Sequence, residues 1–146
     1  MDKMLHVGNV FSLYHSSFQG YILAKVLQLD TKGIIEDKHY DKDISRSVLI
    51  VSLDSYALAK KHQIDAPFGS LGENILIDYN PYSLAIGSKL KIGSVILEIS
   101  QHCTLCKSFA EVDTKLPKLL KNDRGIFAKV IGSGKICKDD KVYLLD

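Results

Sequence analysis

The chain has 146 residues, 46% of them hydrophobic and 25% charged, with a formal net charge of +2. That length and apolar share fit a single globular domain with one substantial core and exclude a disordered chain. So even a charge balance excludes the strongly basic face of a nucleic-acid binder, and the longest aliphatic run, Val48-Leu49-Ile50-Val51, is far too short to span a bilayer.

Met1-Asp2-Lys3-Met4 leads directly into strand-like sequence without the features of a signal peptide, so a cytoplasmic location is expected. In that compartment Cys103, Cys106 and Cys137 are not a disulfide framework. Each reads instead as a core residue, a metal ligand or a reactive thiol.

Short apolar runs rich in β-branched residues, broken by turn residues, dominate the chain. Leu5 to Tyr14 reads as a first strand, Tyr21 to Leu29 as a second, and Ser47 to Val51 as a third, apolar enough to be buried on both faces. From Ser52 to His62 the rhythm changes. Leu53, Tyr56, Ala57 and Lys60 recur at helical spacing, and Ser52 is placed to cap a short helix. A loop at Pro67, Gly69 and Gly72 precedes a strand from Asn74 to Tyr79. Lys89 to Ile92 and Val95 to Ile99 flank Gly93-Ser94, which suits a two-residue II′ hairpin turn with Gly93 at positive φ. In that hairpin Leu90, Ile92, Val95, Leu97 and Ile99 face the core while Lys89 and Lys91 point out. Leu105 to Leu120 has no strand rhythm and reads as one or two helical turns around Pro117. Gly125 to Ile131, a Gly132-Ser133-Gly134 turn, Ile136, an acidic turn at Asp139-Asp140 and Val142 to Leu145 close the chain. Many short strands with Gly-centred turns and one or two small helices predict a mainly β fold, a closed or nearly closed barrel. With no repeat, low-complexity tract or linker, residues 1–146 form one domain.

Four segments carry the chemistry. Gly33-Ile34-Ile35-Glu36-Asp37-Lys38-His39-Tyr40 gathers acids, a base and an imidazole in what reads either as a polar binding loop or as a solvated turn, and Arg46 follows at a strand end, suited to an anion. In Leu71-Gly72-Glu73-Asn74-Ile75, Gly72 permits close backbone approach, and Asn74 offers a donor and an acceptor or simply closes a turn. Gln101-His102-Cys103-Thr104-Leu105-Cys106-Lys107 holds a Cys-x-x-Cys pair, yet one further cysteine cannot complete a four-thiolate zinc site, and a mostly β chain lacks the α/β setting of a thioredoxin motif. What is left is one working cysteine, with Lys107 favouring the Cys106 thiolate, or a thiol that only packs. Arg124 is the functional candidate of the last segment, Arg124 to Ile136.

In this order the pieces resemble the MOSC family, named for the C-terminal part of molybdenum cofactor sulfurases. Gly33 to His39 resembles the family's Gly-x-x-Gly-Asp-Arg-His-like loop, with Asp37 and His39 at the matching polar positions. Gly72 to Ile75 is similar to its Gly-Glu-Asn-Ile segment, and Gly87 to Gly93 to its hairpin. Gln101 and Cys106 fit the register of its Gln-Pro-Arg-x-Pro-x-Cys-type segment, and Arg124 to Gly134 with Asp140 to Val142 resemble its last strands. The chain departs from the pattern where Glu36 replaces a glycine, Lys38 an arginine, His102-Cys103 a Pro-Arg pair, Leu105 a proline and Asp139 a glycine.

The resemblance implies a barrel related to the pyruvate-kinase barrel domain. It implies that Cys106, at the barrel mouth, ligates molybdenum of a pterin cofactor or carries a persulfide sulfur, both roles suited to a soft thiolate. Asp37, His39, Arg46, Asn74 and Arg124 would converge there to hold the cofactor. Partners would be molybdenum cofactor biosynthesis or sulfur-donor proteins. Two other roles remain open: a molybdenum-dependent reductase of N-hydroxylated compounds, and a non-catalytic interaction module that has lost its site.

Overall fold

A computed structural model describes residues 3–17, 20–104 and 112–145. The strands are β1 (Met4–Ser17), β2 (Gly20–Ala24), β3 (Val26–Asp30), β4 (Gly33–Ile34), β5 (Val48–Ser52), β6 (Ile75–Ile77), β7 (Lys89–Ile92), β8 (Val95–His102), β9 (Ile126–Gly132), β10 (Gly134–Cys137) and β11 (Lys141–Leu145). Helix α1 (Leu53–Lys61) follows β5, and the short α2 (Leu116–Leu119) precedes β9. In the main sheet the order is β11-β7-β8-β9-β5-β6-β1-β2, and a further β11–β1 pairing closes seven of these strands into a barrel. β10, β3 and β4 form a small second sheet. Among the described residues no helix is long and apolar enough to cross a membrane.

β5 shows how the sequence dictates the wall. All five of its residues are buried. Val48 and Ile50 point into the barrel core, and Leu49 and Val51 into a second apolar cluster outside it. That outer cluster is covered by Tyr56 and Ala59 of α1 and by Leu116 and Leu120. β5 runs parallel to β6, a pairing that needs a crossover, and α1 supplies it. The Ser52 side chain caps α1, accepting the Asp54 N–H at 3.0 Å. Against the expected stripe of Leu53, Tyr56, Ala57 and Lys60, the buried residues of α1 are Ser55, Tyr56 and Ala59.

The β7–β8 hairpin matches its expected register. Ile92 pairs with Val95, Gly93 has φ +58°, and Leu90, Ile92, Val95, Leu97 and Ile99 are all fully buried. One expectation needed correction. The stretch from Tyr21 to Leu29 is two strands, because β2 stays with β1 while β3 turns away at Lys25 to join β10 and β4. After the Gly132-Ser133-Gly134 segment the chain leaves the barrel sheet, and β10 pairs with β3 in the second sheet.

β1 is long because it serves three partners in turn. Residues 4–9 pair with β11, Val10 to Leu13 with β6, and Leu13 to Ser17 with β2, with register shifts between His6 and Gly8 and between Val10 and Ser12. Such irregularities let one strand bend around a barrel.

Candidate anion-binding cleft

The loop from β4 to β5 is tied down by backbone and carboxylate bonds. Lys38 N–H reaches the Ser16 carbonyl at 2.7 Å, and the Tyr40 hydroxyl donates to Asp30 at 2.6 Å. Asp37 is only 5% exposed, an expensive place for a carboxylate unless donors surround it. They do: one oxygen accepts the Ser16 N–H at 2.6 Å, and the other accepts the His39 N–H at 2.9 Å and lies 2.9 Å from His39 Nδ1. An ionised carboxylate only accepts, so Nδ1 carries the proton and Nε2 faces outward. Asp37 therefore acts from behind, fixing the ring of an exposed histidine.

His39, Lys42 and Arg46 line one wall of a cleft of ≈ 370 Å³, with Ser16, Ser47 and Asn74 as uncharged polar groups beside them. Asp43 is the one acid of the lining, and Leu49, Leu71 and Phe127 give it apolar surface. Arg46 sits in a 3₁₀ turn (Ile44–Arg46) with its guanidinium over the Phe127 ring, 4.8 Å from the centroid. The stacking restrains the side chain while leaving its N–H donors in the cleft. Among the described residues Arg46 makes no ion pair.

Asn74 closes the cleft as a brace between strands. Its backbone N–H and side-chain oxygen bond the Leu49 carbonyl and N–H at 2.8 and 2.9 Å, while its carbonyl and Nδ2 bond the Tyr14 N–H and carbonyl at 2.8 and 3.3 Å. It thus mimics a strand residue between β1 and β5. Neither Asn74 nor Asp37 is free to serve a ligand with its whole side chain.

Arg124 does not join this group. It lines a separate cleft of ≈ 310 Å³ with His102, Cys103 and Lys121, and its guanidinium donates to the carbonyls of Thr104 and, at 2.6 Å, Pro117. The expected convergence therefore brings together His39, Arg46 and Asn74, with Asp37 behind, and leaves Arg124 elsewhere. Cys106 lies outside the described residues. Cys103 is buried, at 3% exposure, and Cys137 is a free, half-buried thiol. No group of three or more His, Cys, Asp or Glu among the described residues is placed to hold a metal ion.

Sequence reading missed Lys42, Ser16, Ser47 and Phe127 as lining, because nothing local distinguishes a cleft lysine from a solvated one. It also passed over Glu73, which is wholly buried. The Glu73 carboxylate accepts from the Tyr56 hydroxyl at 2.8 and 2.6 Å and from Gly69 N–H at 3.2 Å. Burial pushes its pKa up, and the Tyr56 hydrogen bond opposes that shift. Glu73 holds the Gly69–Gly72 loop, and with it the Gly72 edge of the cleft.

The MOSC-domain family profile matches residues 4–143. The chain belongs to the MOSC domain family. That family is associated with molybdenum cofactor binding. Among solved structures this MOSC domain superposes on the YuaD protein from Bacillus subtilis with a TM-score of 0.86 at 17% identity, covering 100% of this chain and 99% of that one. YiiM from Escherichia coli gives 0.72 at 19% identity, with 94% and 70% covered. YiiM from Geobacillus stearothermophilus gives 0.67 at 13%, with 99% and 76% covered. At such identities the likeness concerns the fold alone. No curated protein sequence matches the chain.

Proposed function

We propose that this MOSC domain binds a molybdenum–pterin cofactor, or accepts sulfur destined for it, in the service of cofactor assembly. The observation that carries the reading is the charge of the cleft. Two cationic side chains, Lys42 and Arg46, and the His39 imidazole line a cleft of ≈ 370 Å³ that has one carboxylate, Asp43, a volume in the ordinary range for small-molecule sites. A phosphate ester fits such a donor set: Arg46 offers a planar fork of N–H groups, Lys42 a mobile ammonium, and His39 its outward nitrogen. Ser16 adds a hydroxyl to the lining, whereas the Ser47 hydroxyl is donated to the Ile44 carbonyl at 2.6 Å. Leu49, Leu71 and Phe127 complete the lining with apolar side chains, the Phe127 ring lying under the Arg46 guanidinium.

When bound, the cofactor supplies the molybdenum and dithiolene sulfurs, and Cys106 is the residue assigned to it by register with the family. A thiolate at 106 suits either duty, as a soft ligand or as the nucleophile that takes up sulfane sulfur. The chain's own described residues bind and orient. Asp37 fixes the His39 ring, Phe127 restrains Arg46, and Asn74 holds β1 and β5 apart at the distance the cleft requires.

The test is metal and sulfur loading. Protein purified from a molybdenum-sufficient host is assayed for bound molybdenum and pterin, and, after its thiols are reduced, the reductant removed and a sulfane-sulfur donor added, for persulfide. Loading lost in Cys106→Ser and weakened in Arg46→Ala supports the reading. Neither metal, pterin nor persulfide on the wild-type protein overturns it.

A further inference from the structure

Beyond Leu13, β1 leaves the barrel wall and continues with β2 as a two-stranded arm: Leu13 to Ser17 pair antiparallel with Ala24 to Gly20. β2 is the last strand of its sheet. The backbone shows which of its groups are unused. On β1, Tyr14 N–H bonds the Asn74 carbonyl at 2.8 Å and the Ser16 carbonyl accepts Lys38 N–H at 2.7 Å, both on the side away from β2. Backbone groups alternate sides along a strand, so Leu13, His15 and Ser17 are the residues that turn toward β2. Their opposites on β2 are Ala24, Ile22 and Gly20. The N–H and C=O groups of Tyr21 and Leu23 therefore point out from the free edge, and among the described residues no backbone bond takes them up.

The side chains on this edge are apolar. Tyr21 is 41%, Ile22 37% and Leu23 68% exposed, and Gly20–Ala24 carries no charge. Phe68 (51% exposed) continues the patch, because the neighbouring Gly69 lies against the Tyr14 and Tyr21 rings and Phe68 itself packs edge-on to Phe11, 40% exposed, at 5.0 Å. Monomeric proteins protect an edge strand with lysine, proline or a bulge, and β2 has none of these.

We propose that the β2 edge pairs with the β2 edge of a second copy of this chain, antiparallel about a twofold axis at Ile22. The pairing follows from the register. Rotation about Ile22 sets Tyr21 opposite Leu23 of the other copy, and both residues present their N–H and C=O outward, so two reciprocal pairs of ladder hydrogen bonds form. Ile22 meets Ile22 across the axis. Every side-chain pair is apolar, and no charge is brought opposite its like. The contact is isologous, the commonest way for one chain to close on itself. The area is that of a weak, reversible dimer. At 37–68% exposure and roughly 200 Å² per large side chain, Phe11, Tyr21, Ile22, Leu23 and Phe68 offer about 500 Å² per copy and about 1,000 Å² between two, below the ~1,600 Å² of a standard interface, and the ladder hydrogen bonds add to it.

The test is sedimentation equilibrium on the full chain and on two charge variants of the axis residue. The wild-type protein is a dimer under this proposal. Ile22→Lys and Ile22→Glu each set like charges opposite one another and raise the dimer dissociation constant at least about tenfold. Mixing the two variants restores dimers as heterodimers, a result that only pairing across Ile22 produces. Leu23→Glu, at the most exposed position of the strand, provides a second disruption should an Ile22 variant fail to fold, as judged by circular dichroism. A monomeric wild-type chain, dimers undisturbed by these substitutions, or failure of the mixed variants to associate would each overturn the proposal.

Discussion

Asp37 and His39, two residues apart, form a fixed pair in which the buried carboxylate lies 2.9 Å from Nδ1 of the exposed imidazole. The same carboxylate takes two backbone N–H groups, so it anchors the loop as well as the ring. In Asp37→Asn an amide –NH₂ must face at least one N–H donor. That variant is expected to lose about 1–3 kcal/mol of stability. It also frees the tautomer of His39. Ring ¹⁵N shifts of neutral His39 should report an Nδ1–H ring in the wild-type protein and a mixture in the variant. A mixture already present in the wild type would show that Asp37 does not orient the ring.

Gly93 has φ +58°, and a Cβ there would meet Asp140 Oδ2 at 2.5 Å and the Lys135 carbonyl at 2.6 Å. Both the backbone conformation and the space exclude a β-branched residue. Gly93→Val should destabilise the fold by on the order of 1–3 kcal/mol, and by more if the turn cannot shift. Denaturant melts measure this directly, and an unchanged midpoint would contradict the turn.

That hairpin was legible in the sequence because turn chemistry and period-two apolar spacing agree over a dozen residues. The same holds for Ser52 and α1, where a cap residue and a helical rhythm coincide. What could not be read is where elements go once they leave local sequence. Val26 to Asp30 continues the pattern of β2, and only the partner β10 makes it a separate strand. The candidate site divides likewise. Asp37, His39 and Arg46 share one loop, so a polar loop predicts them together, whereas Arg124 depends on how β9 begins and is spent on two carbonyls. Asp139 is a similar case. It replaces a family glycine yet holds φ +72°, a conformation that aspartate tolerates better than most residues, so the turn survives the substitution.

Glu73 gives the domain a pH dependence of stability with a definite sign. Burial raises its folded-state pKa, so the folded chain holds the proton to higher pH than the unfolded chain does. Stability from this group is therefore fully present below the ordinary glutamate value of about 4.3 and is lost as pH rises from there through the raised folded value. Glu73→Gln keeps an acceptor for Tyr56 and cannot ionise. Its unfolding free energy should lack that decline, so the difference between variant and wild type shifts in favour of the variant as pH rises across this window. Parallel profiles for the two proteins would show that the buried carboxyl does not titrate differently on folding.

The two arginines assigned to one site by sequence have different surroundings, and mutation should separate them. Arg46 is exposed, stacks on Phe127 and makes no ion pair among the described residues. Its loss removes one weak cation–π contact of about 0.5–1 kcal/mol and one cleft cation. Arg124 is half-buried and donates to the Thr104 and Pro117 carbonyls. Truncating it strands both acceptors and opens space, at a cost of about 2–4 kcal/mol. Arg46→Ala should thus weaken binding of inorganic phosphate or of the pterin cofactor by roughly tenfold or more while the melting midpoint barely moves. Arg124→Ala should lower the midpoint by several degrees while the affinity of the remaining folded protein stays within about threefold. Thermal melts and equilibrium binding on the same samples make the comparison. If Arg124→Ala weakens binding as strongly as Arg46→Ala at a temperature where both are folded, the two clefts act as one site after all.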